Sequence, residues 1–294
     1  MTSNVSDNLR GILLMIAAMA GFAVSDMFIK LASSSISIGY ILLVMGLGGV
    51  PIFLAMAHRA KAAVFTRAFF HPAVIARNLS EIIGTYCIIM ALSLIPLSTV
   101  SIIIQVNPIV VTLGAALILG APVGPWRWGA ILIGFAGVLL ILNPFDAQMD
   151  PNVWYALVAV LGLAGRDLAT RRAPTSIPTL ALATYGFMTL IPLGVVLIWL
   201  NPQPSAFSPT IIAILTATIV STVAGYYAIT AAMRVGDIAT VTPFRYSRIL
   251  FGVGLGILVF DEKLPVSAII GVIVVIAAGL FIVIRERRLA GMSL

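Results

Sequence analysis

The sequence predicts an all-α integral membrane protein, with ten transmembrane helices arranged as two five-helix repeats of inverted topology around a central cavity. Three observations carry that fold class. Of the 294 residues 61% are hydrophobic and only 9% charged, and the mean hydropathy is +1.14, whereas roughly a quarter of a soluble domain is charged. Ten apolar runs of spanning length follow one another, and a spanning helix uses about 20 residues. Sliding the chain along itself by 141 residues brings its two halves into register.

The ten runs fall at 10–32, 37–57, 72–93, 97–119, 126–142, 152–172, 178–200, 210–233, 238–260 and 265–284, each bounded by Pro, Gly, Asn or a charge. Their short connections leave no room for a sizeable soluble domain. The first eight residues are polar and no small-residue cleavage site follows the first run, so that run is expected to stay as a helix. With the N-terminus inside, Arg10, Arg59, Lys61, Arg67, Arg127, Arg171, Arg172, Arg234, Arg285, Arg287 and Arg288 all lie on the cytoplasmic side, and only Lys30 and Lys263 on the other. This bias predicts a multi-pass protein of a bacterial-type inner membrane with both termini cytoplasmic. The net charge of +7 is spread over short loops, a topology signal that argues against nucleic acid as a partner. Cys87 is the single cysteine, which excludes an intramolecular disulfide or a cysteine metal cluster.

At the 141-residue offset Gly21, Asp26, Lys30, Ala32 and Ser35 fall on Gly162, Asp167, Arg171, Ala173 and Ser176. Gly84, Tyr86 and Ala91 fall on Gly225, Tyr227 and Ala232, and Thr99-Val100 on Thr240-Val241; after a one-residue slip Gly129 and Gly137 meet Gly271 and Gly279. Five spans per half is an odd number, so residues 1–145 and 146–294 must enter the membrane from opposite sides. Such inverted repeats hold a substrate site near the midplane between the halves and alternate access to it by rocking.

The same residues resemble the drug/metabolite transporter superfamily, in its ten-helix branch of paired EamA domains. In the first half the resemblance rests on Leu9–Leu14, Asp26–Lys30, Ala91-Leu92, Pro108 and Gly129–Val138, and in the second on Arg166–Arg172, Pro243–Tyr246 and Phe260–Glu262. The pattern's usual Gly-Glu after the fourth helix is Gly120-Ala121 here. The resemblance implies a basket of ten helices with a cavity lined mainly by helices 1, 3, 4, 6, 8 and 9. It further implies a transporter close to bacterial amino-acid exporters, aromatic substrates included, or else an uptake system of the S-adenosylmethionine or riboflavin type.

Charges inside spans cost about 2.5–3.5 kcal/mol each on insertion scales and mark pathways or pair with one another. In the ninth span Arg245 and Arg248 share a face with Tyr246 beside them. They read either as a carboxylate clamp, since a guanidinium fork matches carboxylate geometry, or as an internal latch to Glu81, the expected counterion. Arg248 is the repeat mate of Asn107, near Gln105 and Pro108 in the fourth span, and the axis is expected to bring Arg248 and Asn107 close. In the third span Arg77 and Glu81 are four residues apart and can neutralise one another. Glu81 also reads as a proton-coupling group or a site for a substrate ammonium.

Asp26/Lys30 and Asp167/Arg171 repeat an acid and a base at i,i+4, either as local salt bridges or as outer and inner gates. Arg166 points about 100° away from Asp167 and needs another partner or water at the inner mouth. Tyr86 and Tyr227 occupy equivalent positions, either as walls of an apolar slot or as packing. Trp126, Trp128, Trp154 and Trp199 sit at helix ends as belt residues, and Gly252 and Gly256 give a close-packing spacing.

A secondary transporter of small organic metabolites, acting as a monomer among membrane lipid and without cofactor or metal, is the function these features predict. An integral membrane enzyme needs clustered carboxylates, histidines or a nucleophile with its base, and His58 and His71 sit together in one loop instead. No Gly-x4-Gly-Lys phosphate loop is present, nor the repeated filter of a channel.

Overall fold

The computed structural model describes residues 5–120, 124–142, 150–174, 176–203, 205, 207–235 and 241–291. Ala121, Thr240 and residues 143–149 of the fifth connection lie outside them. The chain in these segments is helical: α1 (Val5–Ser33), α2 (Ile38–Arg59), a 3-10 turn (Arg67–Phe70), α3 (Pro72–Leu94), α4 (Leu97–Ile104), α5 (Asn107–Leu119), α6 (Pro125–Leu142), α7 (Val153–Arg172), α8 (Thr179–Leu200), α9 (Pro209–Val235), a second 3-10 turn (Thr242–Ser247), α10 (Arg248–Phe260) and α11 (Val266–Gly291). Among the described residues seven segments are long and apolar enough to cross a membrane, the joined α4–α5 being one of them.

Two of the expected spans are interrupted. The fourth breaks at Gln105-Val106, where the backbone switches to shorter bonds, Gln105 N–H to Ile102 O and Val106 N–H to Ile103 O, both 3.1 Å. Pro108 causes the break, since its nitrogen has no hydrogen to give and its ring crowds the preceding turn. The ninth begins as the six-residue 3-10 turn containing Pro243 and becomes α-helical only at Arg248. Both breaks fall beside the polar residues, and irregular backbone at such depth is tolerated where it is buried in protein or lines a cavity.

Each principal helix packs against one from the other half of the chain: α1 on α9, α2 on α8, α3 on α7, α4 on α10 and α6 on α11. Glycines let these backbones approach. A Cβ on Gly162 would stand 2.6 Å from the Gly84 Cα, and one on Gly21 would stand 3.2 Å from the Gly225 Cα. The Gly252/Gly256 spacing acts within the chain in the same way, with Gly252 against Ser101 of α4 and Gly256 against Ser98 and Glu262. Outward faces stay apolar, with Trp126, Trp154 and Trp199 exposed at helix ends, as belt residues should be.

Candidate functional site

Two aspartates anchor the polar interior. Asp26 of α1 accepts from Arg248 Nη2 at 2.5 Å, and the Arg248 guanidinium lies over the Phe22 ring, 5.6 Å from its centroid. Asp167 of α7 accepts from Asn107 Nδ2 at 3.1 Å, from Arg166 Nε at 3.0 Å and from Arg166 Nη2 at 2.9 Å. Arg166 also reaches Glu81 Oε1 at 3.4 Å, while Arg77 holds the other Glu81 oxygen at 3.3 Å. Thr85 adds a hydroxyl bond to Glu81 and Asn78 accepts from Arg77. The α3–α7 interface therefore carries a chain of charge from Arg77 through Glu81 and Arg166 to Asp167, ending at Asn107 where α5 begins.

Gln105 and Asn107 stand on either side of Val106 at the break in the fourth span. Gln105 Nε2 donates to the Arg245 carbonyl at 3.1 Å, tying one broken span to the other. Arg245 has Asp167, Arg166 and Arg248 as its electrostatic neighbours. Among the described residues no carboxylate lies within ion-pair distance of its guanidinium.

Several expectations change here. Glu81 is not the counterion of Arg248: Asp26 is, because α1 packs directly on α10 while Glu81 faces α7. The Asp26/Lys30 salt bridge does not form, since Lys30 donates to the Leu92 and Ile95 carbonyls at 3.1 and 2.6 Å. Asp167 bonds Arg166 and Asn107, and Arg171 is exposed. Arg166 folds back onto its neighbour Asp167, overcoming the 100° divergence through the length of its side chain, and takes Glu81 as its second partner. Arg248 and Asn107 are each engaged by an aspartate in place of a direct pairing.

Tyr227 is 60% exposed. Its neighbour Tyr226 points inward, edge-on to Phe53 at 5.0 Å, with its hydroxyl donating to the Thr179 carbonyl at 3.4 Å. Tyr86 packs partly buried beside the main core, and Tyr246 is buried against Gly279 with its hydroxyl unbonded. The Arg77–Glu81 contact forms as its spacing suggests. Sequence reasoning missed Ser25 and Thr222, whose hydroxyls meet at 2.6 Å, and the Glu262 carboxylate, which receives the Leu97 and Ser98 amides. An apolar crevice of about 590 Å³ lined by Tyr40, Val195, Ile198 and Trp199 lies apart from these charges.

The 141-residue offset recurs in these contacts. Adding it to Asp26 and subtracting it from Arg248 gives Asp167 and Asn107, a second bonded pair. Applied to Ser25 and Thr222 it gives Arg166 and Glu81, also bonded. Applied to Gly21 and Gly225 it gives Gly162 and Gly84. The left-handed caps at Gly120 and Asp261 are separated by the same number, and each gives its N–H to a carbonyl five residues back, of Ala115 and Gly256.

The model of the EamA-like transporter family matches this chain twice, over residues 9–143 and 151–284. The chain belongs to that family. As an EamA-family chain it is a multi-pass membrane protein, and its curated relatives are named as small-molecule transporters. A riboflavin transporter of Rhizobium johnstonii is 28% identical over 72% of this chain and 71% of its own length. An S-adenosylmethionine uptake transporter of Rickettsia prowazekii is 22% identical over 76% of this chain and 74% of its own. The pseudopaline exporter of Pseudomonas aeruginosa is 24% identical over 91% of this chain and 94% of its own. A solved crystal structure superposes with a TM-score of 0.62 at 17% identity, over 92% of this chain and 98% of that one, a likeness of fold alone.

Proposed function

We propose that this EamA-family chain is a secondary transporter that moves a small carboxylate-bearing metabolite by alternating access, and that an amino acid, aromatic ones included, is carried outward. The charge balance of the described interior carries this reading. Four guanidinium groups, on Arg77, Arg166, Arg245 and Arg248, stand among three carboxylates, on Asp26, Glu81 and Asp167. Among the described residues Arg245, next to the break in the ninth span, is the guanidinium with no carboxylate within ion-pair distance, and its neighbour Asp167 is already bonded by Arg166 and Asn107. A buried charge calls for a counterion, and a substrate carboxylate entering between α4–α5 and α10 supplies one with matching fork geometry.

The same proposal takes residues 1–145 and 146–294 as inverted repeats, with both termini cytoplasmic in a bacterial inner membrane and one chain as the working unit. The repeat reading is supported by three contacts that recur at one offset and by the double family match. The orientation rests on the distribution of basic residues. Asp26, Lys30, Arg77, Arg166, Asp167 and Arg171 are proposed as gating residues flanking the site.

A second reading, uptake of a larger cofactor-like metabolite, is favoured by the names of the riboflavin and S-adenosylmethionine relatives. Purified protein in liposomes, offered labelled amino acids, riboflavin and S-adenosylmethionine with and without a pH gradient, separates the two. Exchange of amino acids alone supports the first reading. Flux of riboflavin or S-adenosylmethionine with none of any amino acid replaces it with the second.

A further inference from the structure

The site is closed unequally at its two ends. Asp26 lies one turn from Lys30 at the end of α1, and Asp167 one turn from Arg171 at the end of α7. These ends are opposite faces of the bundle, because α7 runs antiparallel to α3, whose last residues meet Lys30. The Asp26 side chain is 8% exposed and its Arg248 partner 15%, against 25% for Asp167 and 27% for Arg166. Among the described residues the Lys30 end is thus the more tightly covered of the two.

What covers the Lys30 end is a compact set of bonds around Glu262. This residue follows α10, where the chain turns at Asp261 with φ 52°. Its Oε1 accepts the Leu97 N–H at 2.6 Å, and its Oε2 accepts the Ser98 N–H at 2.8 Å and the Ser98 hydroxyl at 2.6 Å. Leu97 and Ser98 are the first residues of α4, a helix whose own cap position, Pro96, has no side-chain oxygen to offer. The carboxylate from the second half of the chain therefore satisfies the exposed amides and positive dipole end of a helix from the first half. Lys30 completes the set, bonded to the Leu92 and Ile95 carbonyls just before α4, over the Phe260 ring at 5.4 Å, with Glu262 as its charged neighbour. Gly256 makes room for the carboxylate, since a Cβ there would collide with it.

The residue 141 positions before Glu262 is Ala121, whose methyl group can accept no hydrogen bond. One end of the pseudo-symmetric chain therefore carries a carboxylate at this position and the other does not.

We propose that Glu262 is the latch of the Lys30-end gate: it positions α4 by capping it across the two halves, and breaking its bonds lets that mouth open. This rests on the alternating-access reading above. Its consequence is a built-in preference for the conformer open at the Arg171 end, the face that the basic-residue bias assigns to the cytoplasm.

The test uses the full chain in proteoliposomes of known orientation. Ser101, fully buried on α4 between the latch and Gln105, is replaced by Cys in a Cys87→Ser background and treated with a membrane-impermeant maleimide from each side. With Glu262 intact the thiol is unreactive from the Lys30 side. Glu262→Gln, which loses the charge and one acceptor, is expected to raise the labelling rate from that side at least about tenfold, as a shifted two-state population requires. An unchanged rate overturns the proposal, and so does an equal gain from both sides, which marks general loosening. Where Ser101→Cys lowers the yield of folded protein, amide hydrogen exchange over Ser101–Ile104 in the otherwise native chain serves instead. Faster exchange there in Glu262→Gln, with α7 unchanged, supports the latch, and equal exchange overturns it. Neither readout needs a substrate, so a negative transport panel leaves the latch independently testable.

Discussion

The Asp26 carboxylate lies 2.5 Å from the Arg248 guanidinium, while their counterparts at the 141-residue offset, Asp167 and Asn107, meet at 3.1 Å. One contact is an ion pair and the other a charge-assisted hydrogen bond, so the same backbone arrangement carries two chemistries. Removing one member of a buried pair strands the other charge, at a cost of about 3–5 kcal/mol. Arg248→Ala and Asp26→Asn are each expected to lower the melting temperature in detergent. The double variant Asp26→Asn/Arg248→Gln recovers most of that stability without recovering transport. A double variant as unstable as the sum of the singles would show that the two residues do not act as a pair.

Arg245 behaves differently because no described carboxylate pairs with it. Arg245→Gln is expected to leave the melting temperature within a degree or two, by the small effect typical of substitutions that break no partnered contact. Carboxylate-bearing substrates lose about ten- to hundredfold in apparent affinity, the equivalent of one charge-assisted hydrogen bond of about 1.5–3 kcal/mol. Counterflow measurements in liposomes read this directly, and an affinity unchanged in the variant rules Arg245 out of the site.

Glu81 is shared by Arg77 and Arg166 at 3.3 and 3.4 Å. Glu81→Gln keeps the volume but leaves two guanidinium groups with a neutral acceptor, so a loss of about 3 kcal/mol is expected. Glu81→Asp, too short to span both arginines, should be nearly as unstable. Thermal unfolding of purified protein checks the order, and a stable Glu81→Gln would mean that the arginines are neutralised elsewhere.

Backbone proximity at Gly162 and Gly84 gives a prediction independent of charge. Gly162→Val drives a branched side chain into the Gly84 backbone, and overpacking of this kind costs about 1–3 kcal/mol. Gly254, where an added Cβ meets nothing within 4 Å, is the control: Gly254→Ala should leave expression and monodispersity unchanged. Equal behaviour of the two would contradict the close α3–α7 crossing.

Tyr226 and Tyr227 are adjacent on α9, about 100° apart around it, and differ in burial. Tyr226→Ala removes the edge-on contact with Phe53, an aromatic pairing worth about 1 kcal/mol beyond its buried area, and lowers the melting temperature. Tyr227→Ala, at an exposed position, does not.

Several element boundaries were readable in the sequence to within a residue or two, because proline, glycine and charge cannot continue an apolar run at low cost, whereas the polar ends of α1 and α11 extend the helix five and seven residues beyond the apolar runs. The third run expected at 72–93 is α3 at Pro72–Leu94, and the seventh expected at 178–200 is α8 at Thr179–Leu200. The breaks in the fourth and ninth spans were less legible. Pro108 and Pro243 stand at them, but hydropathy runs straight through both. Among the polar residues, the one pair read correctly, Arg77 with Glu81, is local, fixed by the geometry of a single helix. Two of the mistaken pairs, Asp26 with Lys30 and Asp167 with Arg171, were also local guesses. They failed because long-range partners were available: Arg248 and Asn107 for the carboxylates, and the carbonyls before α4 for Lys30.

By itself, then, the sequence determined most of the helices and the residues that had to be buried with a charge, since these follow from the cost of placing polar groups in lipid. It also carried the 141-residue correspondence, which is a property of residue order. Only the tertiary structure decided which charge meets which. Helix–helix contact at Gly21, Gly84, Gly162 and Gly225 sets the separation and rotation of α1, α3, α7 and α9, and a rotation of one residue, about 100°, is enough to leave Tyr227 exposed and Tyr226 packed on Phe53. Ion pairs between helices depend on those rotations, which no single segment of chain encodes.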